Sequence, residues 1–481
     1  MRTGLIFKYI GAVLLLDSAF MLLSAVISWA NGMDSGFTPL MMSFVLTFIL
    51  GAFPLIFVRR REQINAKEGY CIVTGAWLLS SLVGTFPYLL YGGEFDFINA
   101  WFESVSGFTT TGSTILTDVE ALPRGMLFWR ASTHFIGGIG VVMFALTILP
   151  ALGRTKNTLY NVELSALAKD NFRFQTKKII RVIIIVYMGL TLSSTVLLKL
   201  AGMDWFDSIT HSFAAISTGG FSTKSISIAA YDNIWIEIIL TVFCFLSGIH
   251  FGLIYTTFTG SRNNIFRSEL VRYYFLFTFI GSLVIALSLW TSGTYGTLAE
   301  SLRHGIFQGV TIITSTGFAT ADTNTWTPLA ITILLIFIIQ GACAGSTTGG
   351  LKCDRVLLSL KVLRNRIRQQ QHPNAVMRVK LDGVTQEESG INLAILYIVV
   401  FLFFIILGTL VNTACGVDFI TSLTASATCM GNCGPGFGDV GSMDSFAYLP
   451  DFSKFTCSAL MLFGRLEIFG LIQLFIIKWW V

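Results

Sequence analysis

Apolar runs close to twenty residues long recur from one end of this chain to the other, and they limit the fold before any motif is read. Ten can be drawn, at roughly 5–30, 38–58, 70–91, 126–150, 180–201, 234–258, 270–292, 328–350, 391–413 and 455–478. A helix needs about 20 apolar residues to cross a bilayer. Inside hydrocarbon every backbone N–H and C=O must be bonded within the protein, so the runs imply helices. An outer-membrane barrel would instead show alternating segments of about 10 residues. Charged residues make up only 12% of the 481, and hydrophobic ones 53%; a soluble domain carries about twice that charge. The first run follows Arg2, is longer than a signal-peptide core and ends in "SWANG", a poor cleavage site, so it is expected to be retained.

Charge sets the orientation. With the N-terminus in the cytoplasm, 25 of the 32 Lys and Arg fall in the N-terminus, 59–69, 150–181, 259–272, 351–386 and the C-terminus. The opposite loops are acidic, among them Asp96, Asp204, Asp322, Asp418 and Asp444. This is a positive-inside pattern with both termini cytoplasmic. The net charge of +5 therefore reflects orientation and not nucleic-acid binding. The basic stretch from Arg355 to Lys380 has two readings, contact with anionic lipid and a docking surface for a cytoplasmic partner.

Between the runs lie four shorter segments, 97–110, 205–217, 301–315 and 418–431, too short to span. Each leads into a glycine turn: "TTTGS", "STGGF", "STGFA" and "NCGPG", centred on Gly112, Gly219, Gly317 and Gly434. The repeated unit is span, short helix, turn, span. It divides the chain into a two-helix unit at 1–66 and four repeats at 67–165, 166–265, 266–385 and 386–481. The expected fold is an all-α polytopic membrane protein, with ten transmembrane helices and four re-entrant pore helices in four pseudo-symmetric repeats around one pore. Irregular backbone at membrane depth is tolerated only within protein or beside a water-filled cavity. Converging turns would line such a path with carbonyl oxygens, which can replace a cation's hydration shell. The residues expected at this constriction are Thr110, Thr111 and Gly112, Thr218 and Gly219, Ser315, Thr316 and Gly317, and Asn432, Cys433 and Gly434.

Two further features lie on that path. "QGACAGSTTGGLK" follows too few apolar residues after Pro328 to complete a crossing, so the helix should break inside the membrane. A gate is expected from Gly341, Ala342, Ala344, Gly345, Ser346, Thr347, Thr348, Gly349 and Gly350. Arg465, deep in the last run, is the other gate residue, because an intramembrane arginine is a functional hypothesis by default. Glu467 is two positions away and faces elsewhere on the helix, a poor local partner. Asp17 and Glu237 have no partner visible in the sequence and are read as packing or interface residues. The eight Cys, and His134, His211 and His250, are read as packing residues.

These four turns together resemble the pore signatures of the TrkH/KtrB/HKT superfamily of potassium transporters, with the two-helix extension of its TrkH branch. The resemblance covers essentially the whole chain. It implies potassium uptake across a bacterial inner membrane, with K+ as cargo held at Thr111, Gly112, Thr218, Gly219, Thr316, Gly317, Cys433 and Gly434. It also implies a homodimer, and a TrkA-type cytoplasmic subunit as the sole source of nucleotide dependence. No covalent cofactor is expected. "GFGDVG" fits G-x-G-x-x-G but follows a turn instead of a strand, so it is not a dinucleotide site. No nucleophile–base constellation suggests an enzyme. The remaining alternative is a symporter coupled to H+ or Na+, although inverted repeats would then be expected and these four run in one direction.

Overall fold

The computed structural model describes residues 2–58, 66–152, 176–260, 264–372, 377–466 and Ile468. Among them, six helices are long and apolar enough to cross a membrane, or seven if one bent pair is a single span. The described residues are mostly helical. Among them is one small hairpin, Lys380–Leu381 with Val384–Thr385, which turns on Asp382 and Gly383, both at positive φ.

The first two helices, α1 (Thr3–Ala30) and α2 (Phe37–Phe57), form an antiparallel pair. Gly11 and Gly51 face each other so closely that a Cβ on either would strike the other's carbonyl oxygen. Small residues let backbones approach in this way where lipid gives helices no hydrophobic reason to associate. α1 also packs on α3 (Ala66–Val83), which continues through α4 (Phe86–Tyr91). There Asp17 accepts a 2.6 Å bond from Ser80, the partner its sequence context had not revealed.

Four short helices then recur: α5 (Phe97–Phe108), α8 (Trp205–Ile216), α12 (Leu298–Ile313) and α16 (Phe419–Gly431). Each starts at a side-chain cap. Asp96, Asp204, Thr297 and Asp418 accept from the backbone N–H three residues on. Three of the acidic residues expected in the outer loops are thus helix caps.

The other helices stand between them: α6 (Arg124–Leu152), α7 (Thr176–Leu200), α9 (Ile234–Ser247), α10 (Phe251–Phe258), α11 (Glu269–Thr291), α13 (Pro328–Gln340), α14 (Cys353–Gln371), α15 (Glu388–Ala414) and α17 (Asp451–Arg465). Every short helix packs against the helix that follows the preceding turn. α8 lies on α6, α12 on α9, α16 on α13, and α5 on α17, so the last unit meets the first and the arrangement closes on itself.

The run at 234–258 is not one straight helix as expected. α9 and α10 are bent by 103° at a break. Gly248 and Ile249 end α9, and His250 leaves helical geometry and caps α10, its Nδ1 accepting from Gly252 N–H at 3.0 Å. The run at 328–350 breaks after Gln340. Of the expected last run, residues beyond Leu466 lie outside the described residues except Ile468, as do Glu467 and the basic segments at 59–65 and 153–175. Glu237 does have a partner: Arg303 on α12 grips it with two 2.7 Å bonds.

α6 can wedge between the first and second short helices because "GGIG" gives it a bare face. A Cβ at Gly137 would strike the carbonyl of Phe108, and one at Gly138 would strike Ser217. Gly137→Ala is therefore expected to lower stability by about 1–3 kcal/mol, the usual penalty for overpacking. Thermal unfolding of the purified protein in detergent reads this; an unchanged midpoint would show that the seam can relax.

Candidate ion pathway

Each short helix ends in the same backbone device. At the capping residue or the one after it, the backbone enters the left-handed region: Thr110 (φ 51°), Thr218 (57°), Ser315 (53°) and Asn432 (51°). The next N–H then bonds five residues back, Thr111 to Ser106, Gly219 to Ala214, Thr316 to Thr311 and Cys433 to Thr428, at 2.8–3.0 Å. This is the bond of a Schellman cap, which normally uses Gly or Asn at the left-handed position. Threonine there is an outlier, because its branched side chain resists positive φ. Local strain of this kind collects at functional sites.

The cap turns the donors back into the helix and leaves the following carbonyls free to point elsewhere. Gly112, Gly220, Gly317 and Gly434 follow, all at positive φ. A Cβ on Gly112 would strike the Gly219 carbonyl, one on Gly220 that of Thr316, and one on Gly317 that of Cys433; one on Gly434 would press on that of Thr111. The four turns meet in cyclic order. The second turn differs from the sequence reading by one residue: its left-handed glycine is Gly220, and Gly219 matches Thr111, Thr316 and Cys433. Two adjacent glycines hid the register. The adjoining helix explains why Gly219 has no side chain. The His134 ring occupies that space and stacks on Phe221 with centroids 4.1 Å apart.

Outside the ring is a cavity of about 70 Å³, lined by these four glycines with Arg130, Ser442 and Asp444 among others. Burial, with Asp322 and Asp439 nearby, pushes the Asp444 carboxyl above its usual range. The C-terminal ends of all four short helices point at the turns, and each presents partial negative charge worth about 0.3–1 kcal/mol to a cation.

Directly beneath lies the segment from Gly341 to Lys352. Gly341, Gly345, Gly350 and Lys352 all take positive φ, and Ala342, Ala344, Ser346, Thr347 and Thr348 are buried. The segment touches the ends of three short helices. Thr347 Oγ1 donates to the Ile216 carbonyl at 3.0 Å, Gly349 N–H donates to Ser315 Oγ at 2.9 Å, and Gly349 abuts Gly431. Its other side is tied to the break between α9 and α10. Cys343 N–H donates to the Gly248 carbonyl and Phe251 N–H to that of Gly345. Arg465 completes the floor, its Nη1 donating to the Thr347 carbonyl at 2.6 Å. Its Nε and Nη2 are buried and find no acceptor among the described residues.

The structure therefore brings every sequence-expected residue of the turns and the segment into one column. The sequence reading missed Gly220, the packing of His134 behind Gly219, and a buried pair, Glu103–Arg130, beside the cavity. Glu103 is in a short apolar helix and Arg130 in a long apolar run, so charge at membrane depth was the signal.

Against known proteins, residues 38–479 match the family model "TrkH: Cation transport protein". The chain is 33% identical to the Trk system potassium uptake protein TrkH of Halomonas elongata, over all of both chains. It is 32% identical to that of Escherichia coli, over 98% of each. It superposes on the crystal structure of the potassium transporter TrkH from Vibrio parahaemolyticus with a TM-score of 0.89 and 29% identity, over 98% of each chain.

Asn432 ties the fourth turn to the first. Its amide donates to Thr111 Oγ1 at 3.0 Å and to the Met461 carbonyl at 2.9 Å. Asn432→Ala removes both bonds and puts alanine at positive φ, an expected loss of roughly 2–4 kcal/mol. The unfolding midpoint in detergent measures it, and a shift no larger than that of a surface substitution would contradict the tie.

Proposed function

The chain belongs to the TrkH family of cation transport proteins, and on that premise we propose that it conducts potassium ions into the cell across a bacterial inner membrane. The ring of four glycine turns is the selectivity filter. The observation that carries this reading is the cyclic meeting of four left-handed turns in a buried, largely apolar setting. A bare cation there would cost tens of kcal/mol without oxygen ligands, and backbone carbonyls supply them with no charged side chain. The carbonyls of Thr111, Gly219, Thr316 and Cys433, with those of the flanking turn residues, replace water around K+. Cations gather at the outer cavity and the helix ends favour their entry.

The segment from Gly341 to Gly350 is the gate, and Arg465 is its latch. The segment lies under three of the four turns and is held by single hydrogen bonds. Glycines at positive φ give it alternative backbone states at little energetic cost. The Arg465 guanidinium also sets a positive charge beneath the ring. A unit pair at about 4 Å interacts by roughly 4 kcal/mol at an effective dielectric of 20, enough to slow a cation. The cytoplasmic face, with Arg364, Arg366 and Arg368 on α14, suits a TrkA-type regulatory subunit that supplies the nucleotide dependence, and the chain works as a homodimer.

Two substitutions test the two halves of this reading in reconstituted vesicles. Gly317→Ser forces a side chain against the Cys433 carbonyl at a φ that costs about 1–2 kcal/mol for any residue with a Cβ. The K+ over Na+ permeability ratio should fall about tenfold; an unchanged ratio would remove the filter assignment. Arg465→Ala breaks the bond to Thr347 and takes away the charge. Charge-assisted bonds contribute about 1.5–3 kcal/mol, so K+ flux per folded protein should rise about tenfold with the ratio largely kept. Parental or lower flux from well-folded protein would sink the latch.

A further inference from the structure

All four seams between neighbouring turns carry neutral hydrogen bonds. Ser113 Oγ donates to the Gly434 carbonyl at 2.9 Å, Ala229 N–H to that of Ala319 at 3.1 Å, and Ser442 Oγ to that of Ala321 at 3.0 Å. The seam between the first and second turns has such a bond too, from Val119 N–H to Ser225 Oγ at 3.1 Å, and adds a buried ion pair. Arg130 on α6 and Glu103 on α5 meet there at 2.8 Å, and they are 2% and 0% exposed. Glu103 also accepts from Thr114 Oγ1 at 3.0 Å and from Ile115 N–H at 3.1 Å, which fastens the outgoing strand of the first turn. Arg130 reaches across. Its Nη1 donates to the Ser222 carbonyl at 3.2 Å, its Nη2 to Thr114 Oγ1 at 3.2 Å, and its guanidinium lies 4.1 Å over the Phe221 ring.

The second turn is also the one that has lost its own anchor. In the first and third turns, hydroxyl pairs brace the backbone, Thr109 with Thr111 at 2.8 Å and Thr314 with Thr316 at 2.9 Å. In the fourth, Cys433 Sγ–H donates to the Ile312 carbonyl. Gly219 has nothing to offer, and a stack of Arg130, Phe221 and His134 stands behind it instead. A buried ion pair adds little net stability over apolar packing of the same volume. Geometry is what this one supplies, since a guanidinium holds several acceptors in fixed directions at once.

We propose that Arg130, locked by Glu103, is a positioning residue that fixes the second turn against the first and thereby sets the preference for K+ over Na+. This rests on the reading of the ring as a potassium filter. Na+ is smaller, and a ring free to contract on one side would accommodate it.

Bi-ionic K+/Na+ reversal potentials of the full-length protein in liposomes, normalised to folded protein, provide the test. Arg130→Gln is expected to lower the permeability ratio about tenfold, equivalent to ~1.4 kcal/mol. Arg130→Lys, which can reach Glu103 but cannot hold Ser222 and Thr114 together, should give an intermediate ratio. Should Arg130→Gln fail to fold, Thr114→Val removes the hydroxyl that joins the first turn to both charges while sparing the pair, with a smaller fall in the same direction. A parental ratio from folded Arg130→Gln or Thr114→Val overturns the proposal. A parent protein without K+-selective current would instead defeat the filter reading from which it starts.

Discussion

Everything in the centre of this molecule depends on how four short helices end. The bond from the residue after each left-handed position to a carbonyl five residues back uses up the donors of the turn. Only the acceptors are then left facing the axis. Were the left-handed residues to relax to ordinary helical geometry, the helices would continue and the carbonyls would be spent on their own ladders. Thr110, Thr218 and Ser315 hold that conformation against their own preference. The restraint must come from around them, and it does. Every short helix is clamped by the helix that follows the preceding turn, and the bare face of α6 at Gly137 and Gly138 brings that clamp to backbone contact.

The same chemistry, less tightly held, appears one layer below. The Gly341–Lys352 segment also turns on residues at positive φ, and it too gives its backbone to neighbours instead of to a helix. The difference lies in what surrounds it. The turns above are fixed by one cap geometry repeated four times, whereas the segment is held by a different single bond at each point, to Ile216, Ser315 and Arg465 on one side and to Gly248 and Phe251 on the other. Stability is uneven by construction, and parts that move are drawn from the less stable end. In the proposed function this contrast separates a rigid selector from a movable obstruction.

Much of this was legible in sequence because bilayer physics is unforgiving of exceptions. Runs of apolar residues gave the long helices, and glycine among hydroxyls at membrane depth gave the four turns and the broken helix after Gln340. Where local pattern was ambiguous, the reading slipped. "STGGF" offers two glycines, and only the space taken by the His134 ring decides that Gly219 carries no side chain while Gly220 turns. "SGIHFG" looks like continuous helix. The 103° bend there is fixed by partners from a segment some ninety residues away, Cys343 and Gly345. Charge pairs such as Glu103–Arg130 and Glu237–Arg303 join different helices. Sequence shows each charge as an anomaly but cannot choose its mate.

The four turns are alike in backbone and unlike in side chain, and that bears on how they could hold an ion. At the level where the carbonyls approach the next turn's glycine, the residues are Thr111, Gly219, Thr316 and Cys433. No polar side-chain atom is common to these four, so a ring of side-chain ligands would be incomplete on at least one side. Their side chains are occupied elsewhere: hydroxyls bond to hydroxyls two residues back, and the cysteine thiol bonds to a neighbouring helix end. The carbonyl is the one acceptor all four supply. It follows that a fourfold coordination at this level has to be built from main chain, and that side chains act only by holding it. The braces accordingly differ from turn to turn, as hydroxyl pair, amide, thiol or a stack behind a bare glycine, while the backbone path stays the same.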